Sequence, residues 1–280
     1  MNLSDAPEFF YARGDLNCFA LPAVAMVGTR KASEHGMAAA RSYARALAES
    51  GLCIVSGLAY GIDAASHRGC LDAKGKTIAV VGSGIDDLTL YPRANLRLAQ
   101  EILASGGLII SENPADTKPQ TWDFVKRNRL IAALARATVV VEAPVKSGAL
   151  TTAKYALELG REVYAVPGDA LRENTKGSNG LIASGAAPLI DPQELIQAIF
   201  PARKARPADR SLIKTHNQEE AAIVRALARG TMHVDELVAE TKLSAETAQA
   251  ALTTLELRGV IASLGNMRYA LDLSAPALDK

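Results

Sequence analysis

Six short apolar runs recur through the first part of the chain, at 24–27, 53–55, 77–81, 108–110, 138–141 and 163–166. Each is almost continuously apolar. A strand with one wet face alternates apolar and polar residues, whereas a strand covered on both faces does not. Amphipathic stretches separate the runs. In 34–50, Met37, Ala40, Ala44, Leu47 and Ala48 fall at helical spacing, and similar patterns occupy 63–73, 94–103 and 149–159. Gly51, Gly75, Gly106 and Gly160 follow these segments and read as helix stops. Strand and helix alternating through short loops predict an α/β domain: a doubly wound, extended Rossmann-like, mainly parallel sheet covered on both faces by helices.

The pattern changes near residue 201. Residues 201–215 open with Pro201-Ala-Arg-Lys-Ala-Arg-Pro207, which is basic, proline-flanked and without apolar periodicity, and they read as a linker. Three helical patterns follow, at 219–229, 234–241 and 245–257. Two short strands, 260–264 and 268–271, are turned by Gly265-Asn266. Three helices and a hairpin make a winged-helix domain over 216–272, with 273–280 as a tail. The α/β domain accordingly takes 1–200.

Composition narrows the class. Of 280 residues, 49% are hydrophobic and 22% charged, which fits a folded globular chain and not a disordered one. No apolar run approaches the roughly 20 residues of a membrane span, and residues 1–5 lack the basic and apolar regions of a secretory signal. Cys18, Cys53 and Cys70 are odd in number and have no metal or disulfide spacing, so they read as reduced cytoplasmic thiols. The four histidines show no metal spacing either; neither metal nor cofactor is expected. The formal net charge is +1, so any basic footprint must be local.

Ligands of an open α/β sheet bind beyond the carboxyl ends of the strands. Glycine-rich loops fall there: Gly28-Thr-Arg-Lys-Ala-Ser33, Ser56-Gly57-Leu-Ala-Tyr-Gly61, Gly82-Ser-Gly84 and Lys146-Ser147-Gly148. Glycine admits a close ligand, and the N–H groups of a following helix attract phosphate. Any one such loop is equally an ordinary tight turn. None is a dinucleotide fingerprint, and there is no GxxxxGK[ST]. The rim also carries Arg30, Lys31, Arg93, Lys126, Arg127, Arg129 and Lys146, with Asn128 among them. Guanidinium matches phosphate through two parallel hydrogen bonds, so Arg30 and Arg127 read as anion contacts; a lone lysine reads as a solvated surface charge. Ser33 is placed to cap the helix from residue 34. Asp63 lies one turn before His67 without a nucleophile, and that pair reads as packing. Trp122 and Phe124 adjoin the cations and could stack a base; burial in the core is the expectation for both.

In order and spacing, the segments VGTRKAS, IVSGLAYGIDAASH, GKTIAVVGSGIDDLTLYPRAN, ISENP, FVKRNRLIAAL, VVEAPVKSGALTTAKYALELGREVYAVPG and GSNGLIASGA resemble the DNA-processing protein A (DprA/Smf) family. Two departures are evident. The family's FPxRNR is Phe124-Val-Lys-Arg-Asn-Arg129 here, and the small helical domain that opens many members has no counterpart ahead of Pro7. The resemblance implies a non-enzymatic protein of natural transformation that binds and protects incoming single-stranded DNA, forms a homodimer and helps load the recombinase RecA. It implies a pocket at Gly28, Arg30, Ser33, Arg93, Lys126, Arg127 and Arg129. With the rim loops, the candidate DNA-binding set is Gly28, Arg30, Lys31, Ser33, Gly57, Arg93, Lys126, Arg127, Asn128, Arg129, Lys146 and Ser147. Pairing would use the segment from Gly177 to Ile190.

Two other functions compete. The domain also resembles, more distantly, the lysine-decarboxylase-like (LOG) phosphoribohydrolases, whose PGGxGTxxE carries a catalytic glutamate. Here Thr151 leads to Lys154 and Thr152 to Tyr155, so the carboxylate for glycosidic cleavage is missing. A winged-helix transcription regulator with a ligand-sensing α/β domain is the other. Against it, residues 216–271 hold seven acids and five bases, and the third helix would expose Glu246, Gln249, Thr253 and Glu256. Such a face is poorly suited to phosphate-rich DNA and favours a protein-contacting or regulatory module.

Overall fold

The computed structural model describes residues 5–200, 215, 217–227, 232–258, 260–263 and 267–271. Two compact units separate at residues 201–202. The expected linker up to residue 214, the Gly265-Asn266 turn and the 273–280 tail lie outside the described residues.

The first unit is built on an eight-stranded sheet. Its strands are β1 (Tyr11–Gly14), β2 (Ala23–Val27), β3 (Cys53–Ser56), β4 (Thr77–Val80), β5 (Leu108–Ser111), β6 (Ala137–Val140), β7 (Glu162–Ala165) and β8 (Ala187–Pro188), in the order β1-β5-β4-β3-β2-β6-β7-β8. All neighbours are parallel except β1, which lies antiparallel on β5. The six apolar runs form β2 to β7. The sequence reading missed β1 and β8, two short edge strands.

The helices are α1 (Glu34–Glu49), α2 (Ile62–Asp72), α3 (Leu96–Ala104), α4 (Thr121–Leu134), α5 (Gly148–Glu158), α6 (Lys176–Ala183) and α7 (Pro192–Ile199). Successive strand residues point to opposite faces. On one face Val24, Met26, Ile54 and Val139 pack with Ala40, Ala44 and Leu47 of α1, Ile62 of α2 and Leu195 of α7. On the other, Ala25, Val27, Val55, Val80 and Val140 pack with Leu130 and Ile131 of α4 and Ala149, Ala153 and Ala156 of α5. Both faces are therefore dry, which is why the runs show no alternation. Met37, expected in the α1 stripe, is exposed.

Gly51, Gly106 and Gly160 take positive φ just after their helices. Gly75 does not: the left-handed position belongs to Lys74, at φ 54°. Gly75 is needed for space, since a Cβ there would sit 2.7 Å from the Ala48 side chain of α1.

The second unit comprises α8 (Gln218–Leu227), β9 (Met232–His233), α9 (Val234–Thr241), α10 (Ala245–Leu257), β10 (Ile261–Ser263) and β11 (Arg268–Leu271). Strand β11 pairs antiparallel with both β10 and β9. Ile223, Leu227, Leu237, Leu252, Leu255 and Ile261 form its core. Helix α10 buries Ala248, Ala251, Leu252 and Leu255 and exposes Glu246, Gln249, Thr253 and Glu256, as its periodicity predicts. This is a winged-helix fold. No described helix is long and apolar enough to cross a membrane.

Candidate functional site

From β2 the chain winds outward through β3, β4 and β5. On its other side β2 meets β6, and the order runs outward again through β7 and β8. The direction reverses between β2 and β6, so their carboxyl ends diverge and leave a crevice. A cavity of about 260 Å³ opens there. Its walls are the Gly28–Arg30 loop after β2, Ala59 and Asp63 by the start of α2, one side of α4 from Phe124 to Ile131, and Pro144 to Thr152 leading into α5.

Helix α5 brings its N-terminus to this cavity. Ser147 caps it, its hydroxyl accepting the Ala149 N–H at 3.3 Å. Among the cavity's own residues, Lys146 and Arg30 are exposed cations and Asn128 is half-buried, its side-chain amide donating to the Gly148 carbonyl at 3.2 Å. Gly28 has no room for a side chain: a Cβ would lie 2.4 Å from Ile62 and 2.8 Å from the Glu142 carbonyl. The Arg30 guanidinium sits 5.2 Å from the centroid of the Phe124 ring, whose far neighbour is Tyr91, with ring centroids 5.5 Å apart.

Arg127 is the cavity's most unusual wall. It is 5% exposed and donates through Nη1 to the carbonyls of Gly57, at 2.7 Å, and Val80. Burial pushes its pKa down to about 10, against the pull of the Asp63 carboxylate and with a further push from Arg30. Asp63 is itself buried. Burial raises its pKa, while Arg127 and the N–H groups of Gly57 and Ala59 lower it. Gly57 serves this arrangement, since a Cβ there would be 2.2 Å from Arg127 Nη1. Gly57 is buried beneath the arginine and is not an open anion cradle.

The remaining expected residues lie outside the lining of this cavity. Arg129 is 4% exposed and lies among carboxylates: Nη2 is 2.6 Å from Glu112 and Nε 2.8 Å from Asp5. It faces away from the cavity, because a two-residue step on a helix turns the side chain by about 200°. Lys126 is exposed, 3.8 Å from Glu112, and Arg93 is exposed and donates to the Asp87 carbonyl. Neither lines the 260 Å³ cavity. Lys31 is exposed, with its backbone carbonyl held by Asn174 at 2.8 Å. Ser33 caps α1, accepting the Gly36 N–H at 3.0 Å, and its own N–H donates to the Glu142 carboxylate at 2.8 Å. The N-terminus of α1 thus already faces an anion supplied by the chain.

The aromatic expectation fails for Trp122, which is 65% exposed, while Phe124 is half-buried. The signal was in the helix: Trp122 stands four residues before exposed Lys126 and shares its face. His67 is a packing residue, as read: it is buried, with Nδ1 2.7 Å from Thr77 Oγ1. The sequence reading gave no role to Glu142, whose carboxylate and carbonyl both hold the Gly28–Ser33 loop.

A doubly wound sheet with a cation-bearing cavity at its switch point, followed by a winged helix, defines a two-module α/β and winged-helix protein with a site suited to an anionic ligand. The chain belongs to the DNA recombination-mediator protein A family, whose model matches residues 1–200; a DprA winged helix domain model matches residues 203–267. The chain is 37% identical to Protein Smf of Synechocystis sp., over 89% of this chain and 70% of that protein. It is 39% identical to Protein Smf of Escherichia coli, over 69% of this chain and 51% of that protein. With DNA processing protein DprA of Streptococcus pneumoniae it shares 41%, over 69% of this chain and 67% of that one. The chain thus spans between about half and 70% of the length of these relatives. The crystal structure of the Streptococcus pneumoniae protein superposes with a TM-score of 0.65 at 40% identity, covering 69% of this chain and 67% of that one. A structure of DNA processing protein A from Helicobacter pylori, described for its single-stranded DNA binding mode, gives 0.65 at 32% identity, covering 71% of this chain and 90% of that one.

Proposed function

We propose that this protein binds single-stranded DNA through the α/β unit, and that it protects incoming strands and assists RecA loading in natural transformation. The observation that carries the binding is the cavity between β2 and β6. It joins an exposed guanidinium, an exposed ammonium, a buried guanidinium and a helix N-terminus in one concave surface. Such a surface suits a phosphodiester strand and is blind to sequence. The single-stranded DNA binding described for the Helicobacter pylori relative supports the same reading.

Within the candidate set, Arg30, Lys146, Asn128 and Ser147 are the direct contacts. Gly28 allows the close approach, and Arg127 fixes the potential of the cavity floor without reaching out. Arg93, Lys31 and Lys126 extend the cationic rim. Gly57, Ser33 and Arg129 hold the scaffold. We read the function as binding and not catalysis, since Lys154 and Tyr155 stand where glycosidic cleavage would need a carboxylate. Homodimer formation through the region of α6, contact with RecA and a cytoplasmic location complete the proposal.

A gel-shift titration of the full chain tests it, using labelled oligo-dT with unlabelled homopolymer and duplex competitors at several salt concentrations. Homopolymer should compete well and duplex poorly, with affinity falling steeply as salt rises. Equal competition by duplex would remove the single-strand reading.

A further inference from the structure

A second cavity, of about 320 Å³, lies between the first turns of α1, the end of β6 and the loop after β7. It shares no lining residue with the first cavity. Its walls include Ala39, Val141, Val166 and Pro167, and it is large enough for a small-molecule ligand. Glu142 also lines it and is 2% exposed. One carboxylate oxygen, Oε2, accepts the Ser33 N–H. Among the described residues, the other oxygen, Oε1, has no hydrogen-bond donor. Oε1 is not fully buried and keeps a trace of solvent contact where Glu142 lines the cavity, and a carboxylate can only accept. A ligand completing this site must therefore bring N–H or O–H donors into an apolar slot.

We propose that this cavity binds a guanine nucleotide, with the N1–H and N2–H₂ edge of the base donating to Glu142. Guanine alone sets two donors side by side on that edge. Thymine flanks a single N–H with two carbonyls, and the amino groups of adenine and cytosine adjoin a ring acceptor that would face the carboxylate. Arg172 stands at the mouth, in an exposed pair 3.5 Å from Asp169, and exposed pairs are weak enough to yield to a phosphate. The Glu142 carbonyl accepts the Thr29 N–H at 2.7 Å, so the loop carrying Arg30 is anchored on the same residue. The guanine could belong to a free nucleotide or to a strand.

Calorimetric titration of the full chain with dGMP and with dTMP tests the site. dGMP should bind saturably and roughly tenfold or more tighter than dTMP, the discrimination expected of one good carboxylate–base pairing. Glu142→Gln and Ala39→Leu should each weaken dGMP by about tenfold or more, the first by removing the acceptor and the second by filling the slot. The two variants alter different elements, and thermal melts show which are folded. An oligo-dT carrying one dG, compared with all-dT, separates the sources. A gain that Ala39→Leu abolishes assigns the guanine to the strand, and no gain alongside tight dGMP binding assigns it to a free nucleotide. Equal binding of dGMP and dTMP, or dGMP binding that survives a folded variant of either kind, overturns the proposal.

Discussion

Two arginines that line the same cavity show how burial divides similar side chains. Arg127 is spent on backbone carbonyls and on Asp63, whereas Arg30 is exposed and lies over Phe124. Removing Arg30 should therefore cost binding and spare the fold. A charge-assisted contact to phosphate is worth roughly 1.5–3 kcal/mol. Arg30→Ala should accordingly weaken single-strand binding by about ten- to a hundred-fold and lower the salt slope by about 0.7. Gel shifts over a salt series check both, and an unchanged slope would take Arg30 out of the DNA path. His67 supplies a stability prediction. Burial lowers its pKa from 6.5 to about 3, with Arg127 adding to the shift. The unfolded chain then binds the proton more readily than the folded one between those values, so stability is fully present above pH 6.5 and falls as pH drops toward 3. The loss approaches about 1.4 kcal/mol per pH unit in that window. Asp63 acts in the opposite sense, because its raised pKa makes the folded chain the better proton acceptor above 3.8. Urea midpoints at pH 7 and pH 5 should differ, and the difference should shrink in His67→Gln.

At the level of elements, the central strands were legible because burial on both faces leaves an unbroken apolar run, and runs this short, bounded by glycine loops, fit strands and not helices. The ends of α1 were legible too, through Ser33 and Gly51. The edge strands were not. β1 is the tetrapeptide Tyr11-Ala-Arg-Gly14, exposed except for a half-buried Tyr11, and β8 is a dipeptide ending in proline, so neither carries an apolar run; only pairing to β5 and β7 defines them. The site was half-legible for a related reason. Sequence places Arg127, Asn128 and Arg129 together, but a helix turns about 100° per residue and sends them to different surroundings. The Glu142 clamp was invisible because its partners are over a hundred residues away. Ser33 lets this be tested at the scale of a helix. Ser33→Ala removes the hydroxyl cap of α1 yet keeps the backbone N–H that meets Glu142. The expected loss is about 0.5–2 kcal/mol of unfolding free energy, read as a lower urea midpoint at constant slope. A loss well beyond that range would mean the hydroxyl also holds the β2 loop.

On the scale of the molecule, the two units have separate cores and contrasting surfaces. The α/β unit sets Arg30, Lys146 and the buried Arg127 around one crevice. The winged unit runs from residue 216 to 271 with a formal charge of about −2. Helix α10, which a winged-helix reader of duplex DNA would lay in the major groove, presents Glu246 and Glu256 to solvent. Its arginine at the C-terminal end, Arg258, is 2.8 Å from the buried Glu220 and is committed to holding α8 against α10. Phosphate would be repelled by this face and attracted by the crevice. A fragment ending at residue 200 retains all eight strands and both layers of helices, so it has the contacts needed to fold. It should bind oligo-dT within roughly threefold of the full chain and with the same salt slope, because the number of neutralised phosphates is unchanged. The complementary fragment from 208 to 280 should show no measurable affinity for either strand form at 0.15 M salt. Binding that travels with residues 208–280 would reverse the roles of the two units and leave the crevice between β2 and β6 without a strand to hold.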